Sequence, residues 1–311
     1  MILLLLNVVM PVFLVIGSGY IAVRLNLFKN SAVDGLMTFT QGFAIPCLLF
    51  LSIMRLDFAA VFDWRLMVSF YTGAIASFTF AIIGARTLFH RRPGDSVAIG
   101  FAAMFSNSLL LGLPIMERAY GASALAGNIA IISIHAPLLF LVGITVMEAS
   151  RADGRGVAGT ANAVIKAMFR NTLMIGLAIG FAVNITNTTL PEPLISATEM
   201  IARAALPAAL FALGGTLARY SLRASLGEAG MIATLKLMVH PAIAYVMCTT
   251  VFHLPIEFTR SAVITAAMAP GVSAYIFANM YNRAKGAAAS ALLLGTMASI
   301  FSASFWIWVL A

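Results

Sequence analysis

Two short stretches of this sequence set helix breakers and small polar side chains inside otherwise apolar surroundings. The first reads Phe105-Ser106-Asn107-Ser108-Leu-Leu-Leu-Gly112-Leu-Pro114, and the second Ala269-Pro270-Gly271-Val-Ser273. Proline removes a backbone donor and clashes with the preceding turn. Glycine and asparagine tolerate the unwound backbone that results. Freed N–H groups at a helix start carry roughly half a positive charge, so a pair of such ends can bind a carboxylate without Lys or Arg. Ser106, Asn107, Ser108 and Ser273 add neutral hydrogen-bond groups beside the breaks. A plain proline kink, relieved by neighbouring helices, is the bland alternative. Corresponding breaks in two separate stretches weigh against it.

Other ionisable groups are few. His135 lies two residues before Pro137 and is either a packing residue or a lining group of the same site; His240, before Pro241, has the same two readings. Of 11 carboxylates only Glu199 falls well inside an apolar run, four residues before Arg203 on the same helix face, which suggests a structural ion pair. Asp34 sits near a helix start, where a carboxylate suits the dipole. Lys236 is expected to snorkel to an interface. A pair of buried carboxylates is absent, so obligatory proton coupling is not expected. Cys47 and Cys248 have no metal-ligand spacing, and no metal or cofactor is expected. Gly271-Val-Ser273 is a fragment of a serine-nucleophile motif, too weak to argue for an enzyme.

The elements that carry these residues follow from composition. Hydrophobic residues make up 61% of the 311 and charged residues only 10%, where a soluble domain has about 25% charged residues. So little charge cannot cover a globule, and a membrane protein remains. Ten apolar runs read as spans, at ~4–23, ~33–54, ~65–88, ~96–116, ~124–148, ~171–187, ~194–218, ~230–252, ~258–280 and ~287–310. The run at ~4–23 lacks a basic leader and reads as the first span. Open sheet edges cannot face lipid, and alternating strands are absent, so the spans are helices. Arg55, Arg65, Arg118 and Arg260 lie in loops after even-numbered spans, and Arg203 and Lys236 lie within spans. The other thirteen of the 19 basic residues follow odd-numbered spans. Positive loops stay cytoplasmic, which places both termini outside the cytoplasmic membrane. The net charge of +8 is then a topology signal, and no nucleic-acid partner is expected.

The chain also resembles itself. Ala44-Ile-Pro46-Cys-Leu-Leu-Phe50 matches Ala205-Leu-Pro207-Ala-Ala-Leu-Phe211; Arg65-Leu-Met-Val68 matches Lys236-Leu-Met-Val239; and Tyr120 matches Tyr281. The offsets of 161, 171 and 161 keep order and pair spans 1–5 with spans 6–10. Five is odd, so the halves enter the membrane in opposite directions. This gives a first five-helix repeat (1–148), a cytoplasmic linker (149–170) and a second repeat (171–311). Inverted repeats with discontinuous helices at the midplane are a design of secondary transporters. A channel or receptor, or less readily an intramembrane enzyme, is the alternative. Pro46 and Pro207 match without a polar cluster and are expected to bend their spans, not to line a site.

Asn107-Ser-Leu-Leu-Leu-Gly112-Leu-Pro114 with Tyr120-Gly121 resembles the fourth-span signature of the auxin efflux carrier family. Gly271, Tyr275-Ile-Phe277-Ala278 and Tyr281-Asn282 resemble its ninth-span signature, and Lys236 with Pro241 its eighth. The resemblance implies an all-α polytopic fold of ten transmembrane helices in two inverted repeats, with broken helices 4 and 9 crossing near the middle. It implies transport of a small organic anion; plant members move auxin, and bacterial members include malate or malonate permeases. Ser106 stands where plant members have proline, Asn279 where they have a lysine, and the central loop is short, so a bacterial-type carboxylate carrier is the expectation. The expected substrate site comprises Ser106, Asn107, Ser108, Gly112, Pro114, Pro270, Gly271, Ser273, Asn279 and His135. Expected partners are the anion, the lipid bilayer and, as one option, a second copy in a homodimer.

Overall fold

The computed structural model describes residues 2–55, 63–151, 172–219 and 225–311. Most of the expected linker lies outside them. The described residues are helical, with no strand beyond one isolated bridge. In chain order the helices are α1 (Ile2–Arg24), α2 (Asn30–Met54), α3 (Trp64–Thr87), α4 (Pro93–Met104), α5 (Leu113–Tyr120), α6 (Leu125–Arg151), α7 (Thr172–Thr186), α8 (Glu192–Leu217), α9 (Leu226–Val251), α10 (Ile256–Ala266), α11 (Val272–Met280) and α12 (Lys285–Val309). Their starts are legible locally. Pro93 and Pro193 occupy the first helical turn, where a missing N–H costs nothing. The Asp63 carboxylate accepts from the Arg65 amide and caps α3.

Among the described residues six helices are long and apolar enough to cross a membrane: α2, α3, α6, α8, α9 and α12. The described residues are thus those of a helical, multi-pass membrane protein. Of the ten spans expected from sequence, the other four fall on α1, on α7 and on the interrupted pairs α4–α5 and α10–α11. At 1.5 Å per residue, the 12, 8, 11 and 9 residues of those interrupted helices are each too short to cross alone.

The chain forms two compact units, each drawing on both halves of the sequence. The first contains residues 1–10, 62–160 and 220–311, and the second 11–61 and 161–219. In the second unit, α1 and α8 approach through glycines. A Cβ at Gly214 would lie 1.8 Å from the Ile16 carbonyl oxygen, and one at Gly19 would lie 2.0 Å from that of Phe211. Asn184 on α7 donates to the Ile53 and Met54 carbonyls, which close the end of α2. Asp34 accepts from Arg219 at 2.7 Å. Glu199 pairs with Arg55 at 2.5 Å, not with Arg203 one turn away. The sequence spacing put Arg203 within reach, but the end of α2 delivers a competing guanidinium.

The first unit holds α3–α6 and α9–α12. Phe101 on α4 stacks on Phe277 of α11, with centroids 3.9 Å apart and planes at 7°. Tyr71 on α3 donates to the Ile131 carbonyl of α6. Gly73 lets α9 approach α3, since a Cβ there would meet His240 at 2.7 Å. On α9, the Leu237 carbonyl accepts from Ser302 and Trp306 of α12. Arg91, between α3 and α4, pairs with Glu228 on α9.

Candidate functional site

Both breaks lie in the first unit, and they meet. Helix α4 ends at Met104, Phe105 turns extended, and a π-type turn over Ser108–Gly112 leads into α5. Helix α10 ends at Ala266, and α11 restarts at Val272 after an extended Gly271. The Asn107 amide donates to the Ala269 carbonyl at 2.8 Å, and the Gly271 amide donates to the Phe105 carbonyl at 2.9 Å. Ser106 and Pro270 thereby form an antiparallel bridge. Backbone groups that the breaks release satisfy one another, as a buried backbone requires.

The approach is close because Gly271 has no side chain. A Cβ there would lie 3.0 Å from the Phe105 ring and 3.3 Å from the Ser106 carbonyl. At Gly112 a Cβ would lie 3.3 Å from Met268. The Asn107 carbonyl accepts from the Leu111 and Gly112 amides and holds the π-type turn. Pro114 is buried at the start of α5.

Several side chains at this meeting point are buried and left over. Among the described residues Ser106 Oγ and Asn107 Nδ2 have no hydrogen-bond partner, and His135, beside the Ser106 backbone, makes no well-formed hydrogen bond through either ring nitrogen. Their residues are 1%, 5% and 2% exposed. A buried polar atom without a partner costs about 1–3 kcal/mol, so such a cluster is a sign of something to bind. The His135 ring stands among the Phe70, Tyr71 and Phe105 rings, 4.8 Å from the last. Ser108 is buried in the same turn.

Not every expected site residue joins this group. Ser273 is half-buried in the first turn of α11. Asn279 is exposed near the end of α11, eight residues or about 12 Å beyond Gly271. Pro46 lies in the second unit, on a groove of about 300 Å³ with Cys47, Phe50 and Ile175. That groove is lined by apolar and hydroxyl groups and offers a carboxylate no charged donor.

Sequence reasoning missed two polar contacts. Asn128 on α6 donates to the Thr265 hydroxyl at 2.6 Å, fully buried, just before α10 ends. Lys236 does not snorkel. It is 0% exposed, bonded to His240 and to the Ala266 carbonyl. An i, i+4 Lys–His spacing on an apolar helix was the available signal.

Interrupted helices pinned back to back around unsatisfied polar atoms, in an apolar helical frame, define a membrane transport protein. The chain matches the membrane transport protein family over residues 4–307. It is 25% identical over 296 residues to a Rhizobium meliloti protein named "Putative malonate transporter", covering 94% of this chain and 92% of that one. It is 24% identical over 304 residues to the "Uncharacterized transporter YfdV" of Escherichia coli, covering 96% of each. It is 26% identical over 321 residues to the "Lysosomal cholesterol signaling protein" of Mus musculus, covering 95% of this chain and 36% of that longer protein. The chain belongs to this family of membrane transport proteins, the auxin efflux carriers.

Proposed function

We propose that the protein is a secondary carrier that moves a small organic carboxylate across the cytoplasmic membrane by alternating access. The anion binds where the two helix breaks meet, between Asn107, Ser106, His135 and the helix starts at Ser108 and Val272. The observation that carries this reading is the set of buried, unpartnered donors at the paired breaks. Asn107 Nδ2 and Ser106 Oγ can donate to carboxylate oxygens, and His135 can donate from either nitrogen. The positive helix starts at Ser108 and Val272 add charge complementarity without a fixed cation. Gly112, Pro114, Pro270 and Gly271 shape the backbone around the anion and need not touch it.

The reading includes ten spans in two inverted repeats, 1–148 and 171–311, with both termini outside. Support comes from how the halves are used. Each half contributes its third, fourth and fifth spans to the first unit and its first and second to the second. The breaks fall at the matching place in each half. Movement of one unit against the other around a fixed site is the general mechanism of such designs.

The test is reconstitution of the purified protein in liposomes. It would be loaded with labelled mono- and dicarboxylates, malonate among them because of the name of the Rhizobium relative. Saturable uptake and exchange of a carboxylate is the expected result. Flux that rises without saturation points to a channel. Absence of carboxylate transport under imposed proton, sodium and voltage gradients overturns the proposal.

A further inference from the structure

Lys236 lies in a π-type turn, Leu235–Val239, within α9, and its side chain is completely buried. Its Nζ has two partners. One is His240 Nδ1 at 2.7 Å and the other is the Ala266 carbonyl at 2.9 Å. His240 Nε2 lies 3.1 Å from the Phe70 carbonyl, which can only accept. The hydrogen-bond network therefore assigns the ring hydrogen to Nε2 and leaves Nδ1 as an acceptor for the lysine. An amine with two N–H groups is satisfied by these two acceptors. An ammonium has three, and among the described residues no acceptor is hydrogen-bonded to the third N–H.

The charged and titratable groups on the elements packed around this segment are few. On α3 they are Tyr71, which donates to the Ile131 carbonyl, and Arg65 and Arg86 near the helix ends. On α4, Asp95 accepts from the Ala284 amide. On α9, Glu228 is held by Arg91. On α10, Glu257 lies in the first turn and Arg260 donates to the Leu310 carbonyl. On α12, Lys285 is the first residue. On α6, His135 is separated from His240 by the Phe70 ring, which contacts both imidazoles at 5.6 and 4.8 Å. Among the described residues no carboxylate is within ion-pair range of Lys236.

The lysine is also coupled to the break itself. Ala266 ends α10, and its carbonyl belongs to the negative end of that half-helix. Three residues on, the Ala269 carbonyl holds the Asn107 amide. A buried ammonium here lacks a counter-ion, and the carboxylate proposed to bind at the breaks is one.

We propose that Lys236 is the proton-coupling group of this carrier. The amine takes up one proton from water as the carboxylate enters and releases it as the carboxylate leaves. Proton and anion thus move together, with the ammonium hydrogen-bonded to His240, to Ala266 and toward the anion. By linkage, each raises the affinity for the other. His240 is a positioning residue that fixes the direction of the Lys236 amine. The sequence argument against proton coupling considered carboxylates alone; a buried amine beside a neutral imidazole is a second way to carry a proton. This inference rests on the proposed carboxylate site, and the experiment separates the two.

Malonate is the probe, at mildly alkaline pH where it is already fully ionised. Calorimetric titrations in buffers of different ionisation enthalpy give the number of protons taken up per malonate. The expected result is about one for the unaltered protein. Lys236→Arg, whose guanidinium stays charged, binds malonate with no proton uptake, and Lys236→Met also shows none. Asn107→Ala weakens binding but leaves the proton count unchanged. Unaltered protein that binds malonate without proton uptake, or Lys236→Arg with an undiminished count, overturns the proposal and leaves the site reading standing. A second arm needs no anion. Nitrogen-15 NMR of the lysine side chains, with Lys236 assigned by its absence in Lys236→Arg, reports its protonation in the empty protein. A three-proton ammonium signal from Lys236 there also overturns the proposal. If malonate does not bind at all, the wider carboxylate panel decides on the site reading, and the NMR arm still decides on the lysine.

Discussion

Asn107 does two jobs with different groups. Its backbone amide and carbonyl tie the two breaks and the π-type turn, while its side-chain nitrogen is left over in a buried position. Replacement by alanine keeps the backbone and removes only the donor. A hydrogen bond to a charged partner is worth about 1.5–3 kcal/mol, so Asn107→Ala should weaken carboxylate binding roughly ten- to a hundredfold while the protein still purifies as a single species. Asn107→Asp should be worse, because it sets a negative charge against the anion. Glu192→Gln, at the exposed start of α8, should leave affinity unchanged. Equilibrium binding of the transported carboxylate checks all three, and unaltered affinity in well-folded Asn107→Asp rules out the assignment. His135 gives an independent check. His135→Phe fits an aromatic surround of Phe70, Tyr71 and Phe105, so it should preserve stability and lower affinity.

Helices in the second unit meet backbone to backbone, which makes glycine a requirement at particular positions. A methyl group on Gly214 would sit inside the Ile16 carbonyl, and no side-chain rearrangement relieves a clash with backbone. Gly214→Ala should therefore lower thermal stability by at least the ~1–3 kcal/mol typical of overpacking. Gly42→Ala, with no atom within 4 Å of the new Cβ, should be tolerated. Melting curves in detergent distinguish them, and equal stability of the two variants contradicts the packing. At the start of α3, the Arg65 guanidinium and amide hold the Asp63 carboxyl below the usual carboxylate range. A lowered native value means that this cap contributes fully above about pH 4 and is lost as the pH falls through that lowered value. Asp63→Ala should cost about 1 kcal/mol near neutral pH and nothing once the native carboxyl is protonated. Melting of the variant and parent across acidic pH shows whether the difference closes.

For the whole molecule, the distribution of arginine and lysine is the strongest determinant of orientation. With loops after odd-numbered spans basic, both termini should be accessible only from outside the cytoplasmic membrane. A membrane-impermeant reagent should label a cysteine placed after Ala311 in intact cells, and labelling confined to inverted vesicles contradicts the topology. Each of the two compact units draws on both halves of the sequence.

Composition alone excluded a soluble domain, because 10% charged residues cannot solvate a surface. The helix breakers at Asn107–Pro114 and Pro270–Gly271 were equally legible, since the steric rules for proline and glycine act locally. Those rules placed the breaks but could not say that they touch. The paired hydrogen bonds between residues 105–107 and 269–271 join segments more than 160 residues apart, and only packing of α4 against α11 brings them together. Similar reasoning separates Ser106, Asn107 and His135, which tertiary structure gathers, from Asn279, which helix periodicity carries to an exposed position. Lys236 was misread for the same reason. A lysine in an apolar helix snorkels if an interface is within reach of its stem, and whether one is depends on its neighbours. Here α3, α10 and α12 close around it, and the partners that fix its chemistry, Ala266 and the Phe70-bound His240, belong to the fold.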